Sequence, residues 1–317
     1  MVFNHHSVSI SLKKLNKKQK KSMGSLVNSL SLSQEEKHFF SEHGFIKLKK
    51  LLTNEAIDGL RELISKSNQM KKPPSFYSGD LSKIGYDLEE KITRDIHSSA
   101  NFKDIFNQLI DNRGAVFVQG VGFELEPNQT GFNWHHDILS FCYVMPEDLA
   151  YTLWIPLDPI NTKEQHGGLA YVSRKVHSAR EYFHLVYQLV QQDKISEFSQ
   201  TEAFKKWNFQ YASDVEKFIL DNNTVADDFE VGDALLLNKF VWHKSCTFTE
   251  GSMVSRKAYV MRFVDGNAHY SKTFLEGTYS LLKTTGNDLQ SDIGYQLIDL
   301  LEDGDVISGQ LASLNKK

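Results

Sequence analysis

Two cysteines, Cys142 and Cys246, are all that 317 residues contain. So few exclude a disulfide framework and a four-thiolate zinc site, and they fit a reducing cytoplasm, where both read as small core residues. Long apolar runs are missing as well. Stretches such as 234–237 fall far short of the roughly 18–20 residues that a membrane-spanning helix needs, so no membrane association is expected. The first 24 residues hold no acid and no arginine, only six lysines: Lys13, Lys14, Lys17, Lys18, Lys20 and Lys21. Without an apolar core this is no secretory signal, and without arginine no mitochondrial presequence. Residues 1–30 are read as a disordered basic tail. Of 36 basic and 40 acidic residues in the chain, 30 and 40 remain beyond the tail. That acidic body argues against a broad phosphate-binding surface and against nucleic acid as a partner.

What is present suffices for one sizeable core, since 40% of the residues are hydrophobic and 24% charged. Residues 31–317 are read as one domain. Ser33-Gln34-Glu35-Glu36 opens a helix with a cap and an acidic first turn, Phe39 and Phe40 supply its apolar face, and His43-Gly44 ends it. A short strand follows over Phe45–Leu48. Ile57, Leu60 and Ile64 then repeat at helical spacing within 53–65, with Thr53 as cap. Pro73-Pro74 and scattered Gly, Ser and Tyr mark 66–86 as a loop. Phe102, Ile105, Phe106 and Leu109 give one more helix over 101–111.

Beyond residue 115 the period changes to two. Val116–Val118, Gly122–Leu125, Phe132–Asp137, Tyr151–Pro156, Leu169–Val172, Ala234–Leu237 and Lys257–Phe263 read as short strands separated by Gly, Asn, Pro and Asp. Such a series predicts a sandwich or barrel. Between Ser178 and Val231 there is neither Gly nor Pro, and Tyr182, Leu185, Val186, Leu189 and Val190 recur at helical spacing. This stretch, 178–231, is a helical insertion with a second helix through Val215, Phe218 and Ile219. The chain is thus β-dominated α+β, with helices before and within the strand region.

The segment that carries chemistry is Asn133-Trp134-His135-His136-Asp137. On a strand, residues i and i+2 share a face, so His135 and Asp137 point together and His136 points away. An imidazole and a carboxylate on one face supply two of the three ligands in a two-histidine, one-carboxylate site for non-haem Fe(II). His243 is the candidate for the third, because the Gly232-Asp233 turn launches an apolar strand that ends near it. Thr249-Glu250-Gly251-Ser252 reads as the tip of a hairpin that sets Arg256 opposite His243. A guanidinium there suits a carboxylate bidentately. Arg262 shares the strand face of Arg256 and is assigned to a structural ion pair.

Ser33-Gln34-Glu35 with His43-Gly44-Phe45, His135-x-Asp137, Trp154, Gly167-Gly168-Leu169, Gly232-Asp233, His243-x-Ser245 and Arg256-Lys257-Ala258 occur in an order that resembles the phytanoyl-CoA dioxygenase (PhyH) family of Fe(II)/2-oxoglutarate oxygenases. The resemblance runs from about residue 31 to 265. It implies a double-stranded β-helix of the jelly-roll, cupin-like kind, iron held by His135, Asp137 and His243, and 2-oxoglutarate anchored by Arg256, with Ser245 and Trp154 lining the cosubstrate pocket. It also implies Fe(II), 2-oxoglutarate and O2 as the reacting set, with succinate and CO2 released. Asp137 favours hydroxylation, since halogenases with this fold generally lack that carboxylate. The family's Pro-Gly-Ser-His stretch is replaced here by Val172–His177.

The expected function is hydroxylation of a small molecule in the cytoplasm. Aromatic residues crowd the insertion, and Tyr182 and Trp207 are its candidate substrate contacts, on an insertion read as a lid over the barrel mouth. Two other readings remain: a non-catalytic metal- or anion-binding scaffold of the same fold, and an oxygenase acting on a protein. Neither substrate identity nor oligomeric state has a signature in the sequence.

Overall fold

Ser33 caps the first helix as its position predicts. In the computed structural model, which describes residues 25–66, 83–85, 91–202, 204, 211–284, 294 and 297–308, helix α1 spans Gln34–His43. The Ser33 hydroxyl accepts from Glu36 N at 3.1 Å and the Glu36 carboxylate accepts from Ser33 N at 2.7 Å, a reciprocal box that satisfies two otherwise orphaned donors. Gly44 ends the helix in the left-handed region. Strand β1, Phe45–Leu48, leads to α2, Asn54–Lys66. Of the loop read over 66–86, Lys66 ends α2 and Lys83–Gly85 form a short strand, β2; the rest lies outside the described residues. Two helices follow, α3 (Lys91–Ser98) and α4 (Ala100–Leu109). The former, unpredicted from the sequence, is only eight residues long and carries Ile92 and Ile96 as its apolar pair.

Six further strands make up the β region: β3 (Ala115–Leu125), β4 (Ala150–Pro156), β5 (Leu169–Tyr171), β6 (Ala234–Asn238), β7 (His243–Ser245) and β8 (Arg256–Asp265). They form an antiparallel sheet in the order β1-β6-β4-β8-β3-β2 and a second, antiparallel pair β5-β7. The two strands read near 116 and 122 are one, β3, with a bulge between Phe117 and Gln119. Side chains alternate across the large sheet as the pleat requires. Tyr151, Leu153 and Ile155 of β4 and Tyr259, Met261 and Phe263 of β8 pack with Ile57 and Leu60 of α2 and Phe102 and Phe106 of α4. Trp154 and Val260 face the other way, toward Leu169 and Tyr171 of the small sheet. Both faces being covered, β8 is buried along nearly its whole length.

Gly232 (φ 97°) and Asp233 explain the turn before β6. A Cβ on Gly232 would stand 2.6 Å from the Leu52 carbonyl oxygen, and the Asp233 carboxylate accepts from Lys50 N at 2.9 Å and Glu230 N at 3.1 Å.

Three expectations change here. Residues 25–30, assigned to the tail, include Leu26 and Val27, both buried, and Val27 bridges Leu52, because these apolar side chains close the edge of the helical core. The lysines of 1–24 lie outside the described residues. Phe132–Asp137 is not a regular strand but an irregular stretch whose His135 makes isolated bridges to His243 and Tyr211. The hairpin expected between His243 and Arg256 is absent, since β7 pairs with β5 while β8 pairs with β3 and β4, so the segment between them crosses from one sheet to the other.

The insertion forms α5 (Arg180–Gln191), α6 (Ile195–Ser199) and α7 (Asp214–Asn222). In α5, Phe183 and Val186 are core residues, packed with Phe274, Leu275 and Leu282 of a C-terminal helix α8, Lys272–Thr284, that the sequence reading missed. The helices approach so closely that a Cβ on Gly277 of α8 would lie 1.9 Å from Val190. Through these residues α5 buttresses α8. The second helix expected through Val215, Phe218 and Ile219 is α7; Val215 and Phe218 are exposed on it, and Leu220 is its buried residue. Among the described residues no helix is long and apolar enough to cross a membrane.

Candidate metal and anion site

Between the two sheets lies a small cavity. The large sheet contributes Thr152 and Trp154 of β4 and Arg256, Val260 and Arg262 of β8; the small one contributes Leu169, His243 and Ser245; His135 and Asp137 enter from the irregular stretch. One potential ligand atom from each of His135, Asp137 and His243 falls within a group spanning 4.8 Å. The chain joins these residues through its backbone. His135 N donates to His243 O and His243 N donates to His135 O, each at 3.0 Å, and the two rings stand 4.2 Å apart between centroids. Each imidazole is oriented by the carbonyl two residues before it: Nδ1 of His135 lies 2.7 Å from the Asn133 carbonyl and Nδ1 of His243 lies 3.0 Å from that of Val241. A carbonyl only accepts, so Nδ1 carries the proton in both rings and Nε2 keeps its lone pair.

Burial, with His243 alongside, pushes His135 down to about 3, so it stays neutral and able to ligate. For Asp137 burial works against ionisation, but the neighbouring His243, Arg262 and His135 and a hydrogen bond from Thr152 outweigh it and hold the carboxyl below its usual range. Thr152 Oγ1 donates to Asp137 Oδ2 at 2.6 Å. His136 turns away, as its alternation predicts, and packs in an edge arrangement 4.6 Å from the Trp242 ring.

Arg256 is buried, and its guanidinium carbon lies 5.9 Å from the centre of the Trp154 ring. Its Nε has no hydrogen-bond partner. Burial lowers the guanidinium to about 10, which leaves it charged at neutral pH. Leaving Nε unpaired in a buried cation is costly, only partly offset by the attraction of Asp158, and an anion entering the cavity would relieve that cost. Ser245 Oγ accepts from Phe132 N at 3.0 Å, leaving its own O–H to donate. Arg262 does make the ion pair expected of it, with Asp137, its Nη2 standing 4.0 Å from Oδ1.

Tyr182 is not at the cavity. Its hydroxyl donates to the Glu216 carboxylate at 2.5 Å, and its ring meets Trp242 and His136, so it ties α5 to α7. Trp207 lies outside the described residues. The insertion does reach the site, but through its return segment: Tyr211 bridges His135, and Ala212 N donates to Trp134 O at 3.0 Å. Cys142 and Cys246 are both free thiols, Cys142 fully buried. Thr152 and Val260 were missed as site residues. Thr152 had a signal, being the lone hydroxyl at an inward position of an otherwise apolar strand.

No protein-family profile matches the sequence, and no curated protein sequence matches it. Solved structures match in three dimensions. SnoK, described as a non-heme alpha ketoglutarate dependent carbocyclase from nogalamycin biosynthesis, superposes with a TM-score of 0.57 at 16% identity, over 89% of this chain and 95% of its own. EctD from S. alaskensis with bound Fe gives 0.53 at 15% identity over 80% and 85%, and its apoform 0.54 at 14% over the same shares. At such identity the likeness is one of fold: this antiparallel α+β chain shares the architecture of a protein described as a non-heme alpha ketoglutarate dependent carbocyclase and of one solved with bound Fe.

Proposed function

We propose that this chain is an Fe(II)- and 2-oxoglutarate-dependent oxygenase of the PhyH type, built on a double-stranded β-helix, that hydroxylates an unactivated C–H bond of a small molecule. One observation carries the reading: a two-histidine, one-carboxylate cluster shares a cavity with a buried arginine whose Nε has no protein partner. The donor set fits the metal, since two neutral imidazoles and one ionised carboxylate match borderline Fe(II) and leave positions open. The arginine fits the cosubstrate, which carries a carboxylate at its far end.

His135, Asp137 and His243 would hold the iron, and Arg256 would pair with the distal carboxylate of 2-oxoglutarate. Bound iron, with 2-oxoglutarate and O2, supplies an oxidative decarboxylation coupled to removal of a hydrogen atom from the substrate, releasing succinate and CO2. The chain's own part is positional. The backbone bridge between His135 and His243 fixes both lone pairs without help from a metal. Arg256 acts as a fork that sets the cosubstrate's direction, with Trp154 flanking it and the Ser245 hydroxyl able to donate to the same anion. Phe123, Leu169, Leu237 and Val260 line the cavity and exclude water from the reacting centre.

Purified protein with Fe(II), ascorbate and 2-oxoglutarate should form succinate, faster with a matching substrate. The product should gain one oxygen; loss of two hydrogens would instead indicate ring closure or desaturation. Protein that binds neither metal nor 2-oxoglutarate would remove the reading.

A further inference from the structure

One polar row crosses the floor of the cavity. Gln119 of β3, Arg262 of β8 and Thr152 of β4 stand in register on three neighbouring strands. On three inner strands of the sheet, three buried or half-buried polar side chains in one row need a common reason. Gln119 reaches the row only because of the bulge. Pairing runs from Phe117↔Phe263 directly to Gln119↔Arg262, and the extra residue, Val118, packs in the apolar cluster beside Phe141 and Phe274. With regular pairing, Val118 would oppose Arg262 and give its guanidinium nothing to bond.

The row ends on Asp137. Thr152 Oγ1 donates to Oδ2 at 2.6 Å, while Arg262 Nη1 donates to Gln119 Oε1 at 2.7 Å and Nη2 is kept 4.0 Å from Oδ1. That separation is too long for a hydrogen bond. We infer that Thr152, Arg262 and Gln119 are positioning residues that make Asp137 a single-oxygen ligand: Thr152 engages Oδ2, and Gln119 restrains Arg262 from capturing Oδ1, the oxygen left for the metal. The inference rests on the metal-site reading above. Its physical content is that a carboxylate free to rotate could take a second coordination position, whereas a hydrogen bond to one oxygen opposes that rotation.

The test uses the full-length protein and Co(II) alone, followed by calorimetric titration and by the visible absorption of the bound ion, which responds to coordination number. Thr152→Val should weaken Co(II) binding about 10–100-fold and change the spectrum, as loss of an outer partner of a metal ligand does. Thr152→Ser, which restores the hydroxyl, should return both toward wild type. Gln119→Leu should also weaken binding, though it touches no ligand, because Arg262 is released onto Asp137. Far-UV circular dichroism checks folding, and Thr152→Ala serves if the valine variant does not fold. Wild-type affinity and spectrum in Thr152→Val or Thr152→Ala would overturn the positioning role. His135→Ala separates the two levels: if it loses Co(II) while the Thr152 variants do not change, only the positioning role falls. A wild-type protein that takes up no Co(II) would remove the metal site itself.

Discussion

Arg256 provides the sharpest test of the cavity, because its two expected roles pull stability and activity in opposite directions. Its side chain is buried, Trp154 lies beside it, Asp158 gives it some electrostatic support, and its Nε has no hydrogen-bond partner. In the ligand-free protein this is a desolvated cation with little return, so Arg256→Leu should leave stability unchanged or raise it by about 1 kcal/mol. For a domain of this size that is about 2–4 °C in Tm. With 2-oxoglutarate the sign reverses. A hydrogen bond to a charged group contributes about 1.5–3 kcal/mol. Arg256→Lys keeps the charge and loses one arm of the fork, so the KM for 2-oxoglutarate should rise about 10–150-fold with metal affinity nearly constant. The assay is succinate formation against 2-oxoglutarate concentration, paired with thermal melts with and without 2-oxoglutarate in the presence of Mn(II). Wild type should gain Tm from 2-oxoglutarate and Arg256→Leu should not. A leucine variant that melts well below wild type, together with a lysine variant of normal KM, would refute the anion-site reasoning and make Arg256 a structural residue.

His135→Ala, Asp137→Ala and His243→Ala should each abolish metal uptake and turnover, whereas His136→Ala should keep metal and lose about 2 kcal/mol of stability from its contact with Trp242, measured by urea unfolding. Metal-free protein should lose stability as acid is added. His97, pressed by burial and by Lys103 and Arg94 to about 4, and His135, at about 3, both protonate in the unfolded chain near 6.5. The unfolded state therefore binds more protons below that pH, and the loss should run to as much as about 1.4 kcal/mol per pH unit for each histidine down to its folded value. His97→Phe should flatten that slope, and an unchanged slope would show that the ring is not held neutral. Glu216→Ala should lower Tm, since it removes the acceptor of Tyr182 and the capping partner of Ser213, without changing the KM of any substrate.

Local signals in the sequence led to the right elements where one residue type determines the geometry. Ser33 and Glu36 mark a helix start through mutual capping, and Gly232-Asp233 marks a turn that tolerates no Cβ and supplies its own acceptor. The shared direction of His135 and Asp137 was also legible, although no regular strand carries them, because a single extended residue between them is enough to alternate faces. Information about partners was not legible. Periodicity identified α5 as amphipathic but could not say that its apolar side meets α8, and it made Tyr182 a substrate contact when Glu216 holds its hydroxyl. In α7 a strong capping box forms the helix even though Val215 and Phe218 face solvent. The crossing between β7 and β8 is a further case, since a turn-like sequence specifies a reversal but not which sheet receives the next strand.

The backbone bridge between His135 and His243 has a consequence for how the protein would gain and lose its metal. Zinc-finger-like domains draw their ligands together as the ion arrives, so removing the ion unfolds them. Here two peptide hydrogen bonds already hold the imidazoles 4.2 Å apart, although His135 and His243 lie far from one another in the chain. Chelation should therefore strip this protein without melting it, and reloading should follow second-order kinetics set by encounter with the ion, not by refolding. A site framed in this way would keep its shape while empty.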